Sequence, residues 1–215
     1  AFGAAVHGIG RIQQAGAQRS AVAIGAPGHD GTGAIFVATL EAQGISLSNL
    51  QQLDIAGAHA GCGLGSAITV VPDLNGDFFQ DIAVGASNFS TELCSSCGAV
   101  FLVTLNQDGT AQASSVHSAN EPLLAAIATT DSRFGTSVAS LGYGPTPGQI
   151  AFAVGAPGTA GGGAIAILRM DTLTRVIASA VAIPASHAVF SGVFTASAQL
   201  GASMAYVGSL AGVPE

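Results

Sequence analysis

One pattern recurs three times along this 215-residue chain and limits what it can fold into. The tripeptide Gly25-Ala26-Pro27 returns as Gly85-Ala86-Ser87 and as Gly155-Ala156-Pro157. Each copy closes an alternating apolar run: Val22-Ala23-Ile24, Ile82-Ala83-Val84 and Phe152-Ala153-Val154. Each is followed by a second apolar run that opens on Gly-Ala, at 33–40, 98–105 and 163–170. Upstream stands an aromatic residue or Leu followed by Gly: Phe2-Gly3, Leu64-Gly65, Phe134-Gly135 and Leu200-Gly201. These four starts lie 62, 70 and 66 residues apart. Landmarks that keep one order at one period mark a chain built from stacked structural units.

Each unit reads as four short strands separated by Gly, Pro, Asn and Asp turns. Strand A follows Phe-Gly, B precedes Gly-Ala-Pro, C starts at Gly-Ala, and D closes the unit, as at 45–50 and 176–183. A four-stranded repeat of this length is a β-propeller blade rather than a sandwich layer, and Ala and Gly let blades approach closely near the axis. The expected fold is therefore all-β, with antiparallel blades at about 2–63, 64–133 and 134–199, and 200–215 starting a fourth. Composition agrees. Half the chain is hydrophobic (49%) and only 8% is charged, so it can bury a core. Five Arg and no Lys against 12 acidic residues exclude a nucleic-acid binder, which needs a basic patch. Residues 176–214 carry no charge, and 188–210 is long enough to span a bilayer. Ser, Thr and Gln run through that stretch and no basic residue flanks it, so no membrane span is expected.

The units resemble the FG-GAP repeats of the integrin alpha-chain β-propeller. The resemblance rests on Phe134-Gly135 through Gly155-Ala156-Pro157 and on Leu64 to Ser87, and it extends over essentially the whole chain. It implies adhesion through protein or glycan partners outside the cell or at its surface. It also implies a seven-bladed ring, of which this chain holds three blades and the start of another. The chain thus reads as a fragment, or as a unit completed by copies of itself in a ring or fibre. No basic region precedes an apolar stretch at the N-terminus, so no signal peptide is visible.

The sharpest chemical signal is the loop 73–81. Asp73, Asn75, Asp77 and Asp81 place oxygen side chains at loop positions one, three, five and nine. Alternate residues of a tight loop point inward, and calcium takes six to eight oxygen ligands. Those four side chains and the Phe79 carbonyl are the expected Ca2+ ligands; a polar hairpin turn without an ion is the other reading. FG-GAP loops between strands A and B read D-x-N-x-D-G-x-x-D. Here Phe78 stands where Gly is usual, at a position suited to positive φ.

The B–C connection of unit two is longer than its counterparts. From Gly85 to Gly98 is 13 residues, against 8 from Gly25 to Gly33 and from Gly155 to Gly163. The extra length holds the glycosylation sequon Asn88-Phe89-Ser90 and both Cys94 and Cys97. A zinc or redox use of this C-x-x-C pair lacks its second ligand pair or its βαβ context. In a four-stranded blade the B–C and D–A connections emerge on one side. Cys62, in the D–A connection, is therefore expected to pair with Cys94 or Cys97, with the short Cys94–Cys97 bridge as the alternative.

Nothing composes an active site. His7, His29, His59, His117 and His187 are scattered, and no H-E-x-x-H or G-x-S-x-G occurs. His29-Asp30 and Asp131-Ser132-Arg133 read as turns and solvated loops. The expectation is a non-enzymatic structural or adhesive glycoprotein stabilised by calcium. A secreted carbohydrate-binding lectin is the alternative, disfavoured by 2 Tyr and no Trp for sugar platforms.

Overall fold

The computed structural model describes residues 1–41, 46–190 and 192–208. Three four-stranded antiparallel sheets follow one another along the chain. The first is β1 (Ala5–Gln14), β2 (Ala17–Ala26), β3 (Ala34–Leu40) and β4 (Leu47–Gln52). The second is β5 (Leu64–Val71), β6 (Asp81–Ala86), β7 (Ala99–Leu105) and β8 (Ala111–Ser118). The third is β9 (Ser137–Tyr143), β10 (Gln149–Ala156), β11 (Ala164–Asp171) and β12 (Ile177–Pro184). Each sheet is a simple meander with its strands in chain order, and the ring is not closed. Ile45, expected to open strand D of the first blade, and 209–215 lie outside the described residues.

Side-chain alternation divides the core into two layers between blades. Along β7, Phe101, Val103 and Leu105 face the first blade, where they join Ile35, Val37 and Ile82. Val100 and Leu102 face the third, where they join Phe134, Phe152, Val154 and Leu168. Successive residues of a strand point to opposite faces, so a blade packed on both sides must be apolar at every position. β6 and β7 are accordingly buried throughout.

The repeated motif is the contact between blades. A Cβ on Gly25, Gly85 or Gly155 would overlap the carbonyl oxygen of Gly65, Gly135 or Gly201 in the next blade. Those second glycines have φ near +90°, which only Gly adopts without strain. Parallel bridges join Gly33 to Leu64, Gly98 to Phe134 and Gly163 to Leu200. The hydroxyls of Ser66 and Ser137 donate to the carbonyls of Gly135 and Gly201, at 3.1 and 2.6 Å. Leu64 and Phe134 are buried at these junctions, whereas Phe2 is exposed.

The fourth unit, expected over 200–215, is described only as far as residue 208. Leu200-Gly201 docks on the third blade as its counterparts do, yet 201–208 form no strand. In each of the three blades strand A pairs with strand B.

Candidate functional site

The acidic loop joins β5 to β6, at the A–B end of the second blade. Asp73, Asn75, Asp77 and Phe79 are half-buried, while Gly76, Phe78 and Gln80 are exposed. The Asp73 carboxylate organises the turn. Its Oδ1 accepts from the amides of Asn75, Gly76 and Asp77 at 3.1, 2.7 and 3.3 Å, and its Oδ2 from Phe78 at 2.7 Å. Asn75 Oδ1 accepts from the Asp77 amide at 3.1 Å, and Asp77 Oδ1 from the Phe79 amide at 2.9 Å. Asn75 Nδ2 donates to the Leu105 carbonyl and to Gln112, tying the loop to the outer strands of the blade. Phe78 has φ +69°, the left-handed conformation that its position asks of Gly, and its ring is 95% exposed.

Asp81 is fully buried. Its carboxylate accepts from the amides of Leu74 at 2.6 Å and Leu105 at 2.8 Å. Burial pushes its pKa from 3.8 up to about 6, against the pull of those two bonds, and the charges of Asp73 and Asp77 push the same way. The three carboxylates therefore repel one another, and no Arg or His forms an ion pair with them among the described residues. They do not converge as a closed triad: among the described residues no three His, Cys, Asp or Glu side chains are grouped so as to hold a metal ion. The donor chemistry nevertheless suits a hard divalent cation, with oxygen atoms only and excess negative charge. The corresponding turns differ. β1 and β2 are joined by Ala15-Gly16, and β9 and β10 by 144–148, neither with a carboxylate.

The opposite side of the blades carries the B–C and D–A connections. Here the structure corrects the expected cysteine pairing. Cys94 and Cys97 are bonded to each other, with Cα atoms 5.8 Å apart, and Cys62 is a buried free thiol. Cys62 is close to the long loop, since its carbonyl accepts from the Asn88 amide at 3.0 Å. Its sulfur, however, packs in the layer between blades one and two and donates to the Thr32 carbonyl at 3.3 Å. Cys97 belongs to the layer between blades two and three. The middle blade separates the Cys62 thiol from the Cys97 sulfur. Asn88 sits exposed on the turn that follows β6.

The histidines stay apart. His29 Nδ1 lies 3.2 Å from Asp30 Oδ2, beside a hollow of about 450 Å³ lined also by Gln52 and Asp54. His59 stacks on Phe89 at 4.4 Å and meets the Ser90 carbonyl at 3.2 Å, tying a D–A connection to the long loop. His117 is buried, 2.7 Å from Glu121 and 3.2 Å from Ser115. This i, i+4 pair is not singled out by the sequence, because 117 ends a strand and only the turn after it brings Glu121 back. The uncharged stretch 176–184 is largely strand β12, and no described helix is long and apolar enough to cross a membrane.

Residues 64–103, which hold β5, the acidic loop, β6 and most of β7, match the FG-GAP repeat. The chain carries an FG-GAP repeat. It is also 38% identical over 136 residues to integrin alpha-3 of Cricetulus griseus, and 36% identical over 137 residues to integrin alpha-3 of Mus musculus. Each alignment takes in 63% of this chain and 12% of the relative, so the chain spans about an eighth of the length of the curated relatives it matches. The FG-GAP segment contains all five expected oxygen ligands and the sequon.

Proposed function

We infer that this chain forms part of an extracellular or cell-surface, non-enzymatic adhesion protein. Its FG-GAP blades are stiffened by Ca2+ and present their B–C and D–A connections to a protein partner. The observation that carries the reading is the loop 73–81. It sets three carboxylates and an amide in the A–B turn of the segment that matches the FG-GAP repeat. Similarity to integrin alpha-3 supports the adhesive role. When bound, the cation would neutralise the repelling charges. Asp73, Asn75, Asp77, Asp81 and the Phe79 carbonyl would hold it. These carboxylates now accept from backbone amides of the turn, so binding would turn oxygen atoms from those amides toward the cation.

Outside the cell the Cys94–Cys97 bridge persists, and Asn88 is open to glycosylation. No feature of the described surface favours a sugar ligand over a protein. Thermal melting with Ca2+ and with a chelator tests the metal. At calcium a hundredfold above Kd, about 2.7 kcal/mol of stability should be gained, and Asp77→Ala should abolish the gain. An unchanged melting temperature would refute the calcium site. Attachment of cells or matrix proteins to the immobilised chain tests adhesion, and capture of glycans alone on an array would turn the reading to a lectin.

A further inference from the structure

The C–D hairpin of the second blade reaches across to the acidic loop. Asn75 is the one neutral side chain among the expected ligands. Its amide serves a cation only when Oδ1, the acceptor, faces the loop and Nδ2, the donor, faces away. Nδ2 donates to the Leu105 carbonyl at 3.0 Å and to Gln112 Oε1 at 3.1 Å. With both N–H bonds engaged on that side, Oδ1 is left toward the turn, where it accepts from the Asp77 amide at 3.1 Å. Leu105 also holds the far end of the loop, its own amide donating to Asp81 at 2.8 Å. Leu105 and Gln112 both lie outside the segment 64–103 that matches the FG-GAP repeat.

A β-bulge is what aims Gln112. Thr104 pairs with Ala113 and Leu105 with Ala111, so β8 carries one residue more than β7, and that residue is Gln112. Bulges re-aim a side chain beside a functional site. The other blades have the same bulge at the same place. In the first blade the extra residue is Ser48, between the pairs Thr39–Asn49 and Leu40–Leu47. Ser48 meets the Thr39 hydroxyl at 2.8 Å, and that hydroxyl donates to Gln14 at 2.6 Å, at the end of β1. In the third blade it is Ala178, whose side chain has no polar atom. The bulged residue thus stands where it can support the A–B turn. It carries a long acceptor in the blade whose A–B turn holds the oxygen ligands.

We propose that Gln112, presented by the β8 bulge, is a positioning residue for the cation loop. It keeps Nδ2 of Asn75 turned outward, so that Oδ1 can leave the Asp77 amide for Ca2+ while both Nδ2 bonds remain. Without this acceptor the amide is free to turn and aim N–H donors at the cation. Outer partners of this kind orient metal ligands and tune affinity. The inference rests on the calcium reading.

The test is calorimetric titration of the full chain with calcium chloride, together with NMR of the Asn75 side-chain amide. Gln112→Ala should weaken Ca2+ binding about tenfold. Gln112 is exposed, so the melting temperature without calcium should hardly change. Gln112→Glu retains an acceptor for Nδ2 and should keep the affinity. Asn75→Asp has an oxygen on both arms and needs no orientation, so adding Gln112→Ala to it should have little further effect. The Asn75 Nδ2 protons should exchange with solvent faster in Gln112→Ala than in the unaltered chain. Undiminished binding by Gln112→Ala, an equal loss in the Asn75→Asp background, an equal loss in Gln112→Glu, or unchanged proton exchange would overturn the positioning role alone. Absence of Ca2+ binding by the unaltered chain would instead remove the calcium reading, and this inference with it.

Discussion

Phe78 carries the clearest local conflict in the molecule. Its left-handed backbone costs a residue with a Cβ about 1–2 kcal/mol, and its exposed ring recovers little by packing. Phe78→Gly should therefore raise stability by about 1 kcal/mol, after allowing for the greater chain entropy of Gly when unfolded. Urea denaturation would read it, and a loss of stability would mean that the ring makes contacts in solution. Asp81 sets the pH dependence of the same loop. Its carboxyl titrates near 6 when folded against 3.8 ordinarily, so the folded protein binds the proton more tightly. Without metal, this group's contribution to stability is greatest below about pH 4 and is lost as pH rises to about 6. A bound cation needs the ionised form, so calcium stabilisation should grow over that interval. Melts at pH 5 and 7, with and without calcium, would show whether the metal effect is larger at the higher pH.

Between elements, the decisive contact is backbone on backbone. A methyl at Gly85 meets the Gly135 carbonyl, which cannot rotate away as a side chain would. Gly85→Ala must push the third blade off the second and should cost about 3 kcal/mol. Gly8, in β1, has open space around its would-be Cβ, and Gly8→Ala should stay within about 0.5 kcal/mol. Equal effects of the two substitutions, measured by urea denaturation, would mean that the blades separate in solution. This contact also explains the spacing of the motif. Gly-Ala-Pro ends strand B where Phe-Gly of the next blade begins, and each glycine is required by the other's backbone.

Across the whole molecule, the middle blade is packed on both faces while its neighbours are each packed on one. Phe2, Val6 and Leu50 are exposed on the first blade, and Val176 and Val181 on the third. Apolar faces of this kind are places of association. The isolated chain is expected to self-associate in a concentration-dependent manner, which sedimentation velocity would detect; a monomer at all concentrations would argue against assembly into a ring or fibre. Glycosylation belongs to the same scale, because it depends on the compartment. Material secreted by a eukaryotic host should lose mass on enzymatic deglycosylation, and Asn88→Gln should remove the difference.

The sequence by itself determined the all-β class, the repeat of four strands and the place of the acidic loop. These are written in local signals: alternation with period two, glycines at turns, and oxygen side chains on every second residue from Asp73 to Asp77. The left-handed turn at Phe78 was legible for the same reason, since one residue's backbone decides it. Pairing of the cysteines was not legible. Nearness along one side of the blades made Cys62 a partner for Cys94 or Cys97, but only the packed structure decides which face of the middle blade each sulfur enters. Arg133 read as part of a solvated loop. Its backbone is held by the Ser96 carbonyl, more than thirty residues earlier in the chain, and contacts at that distance are set by how the blades stack.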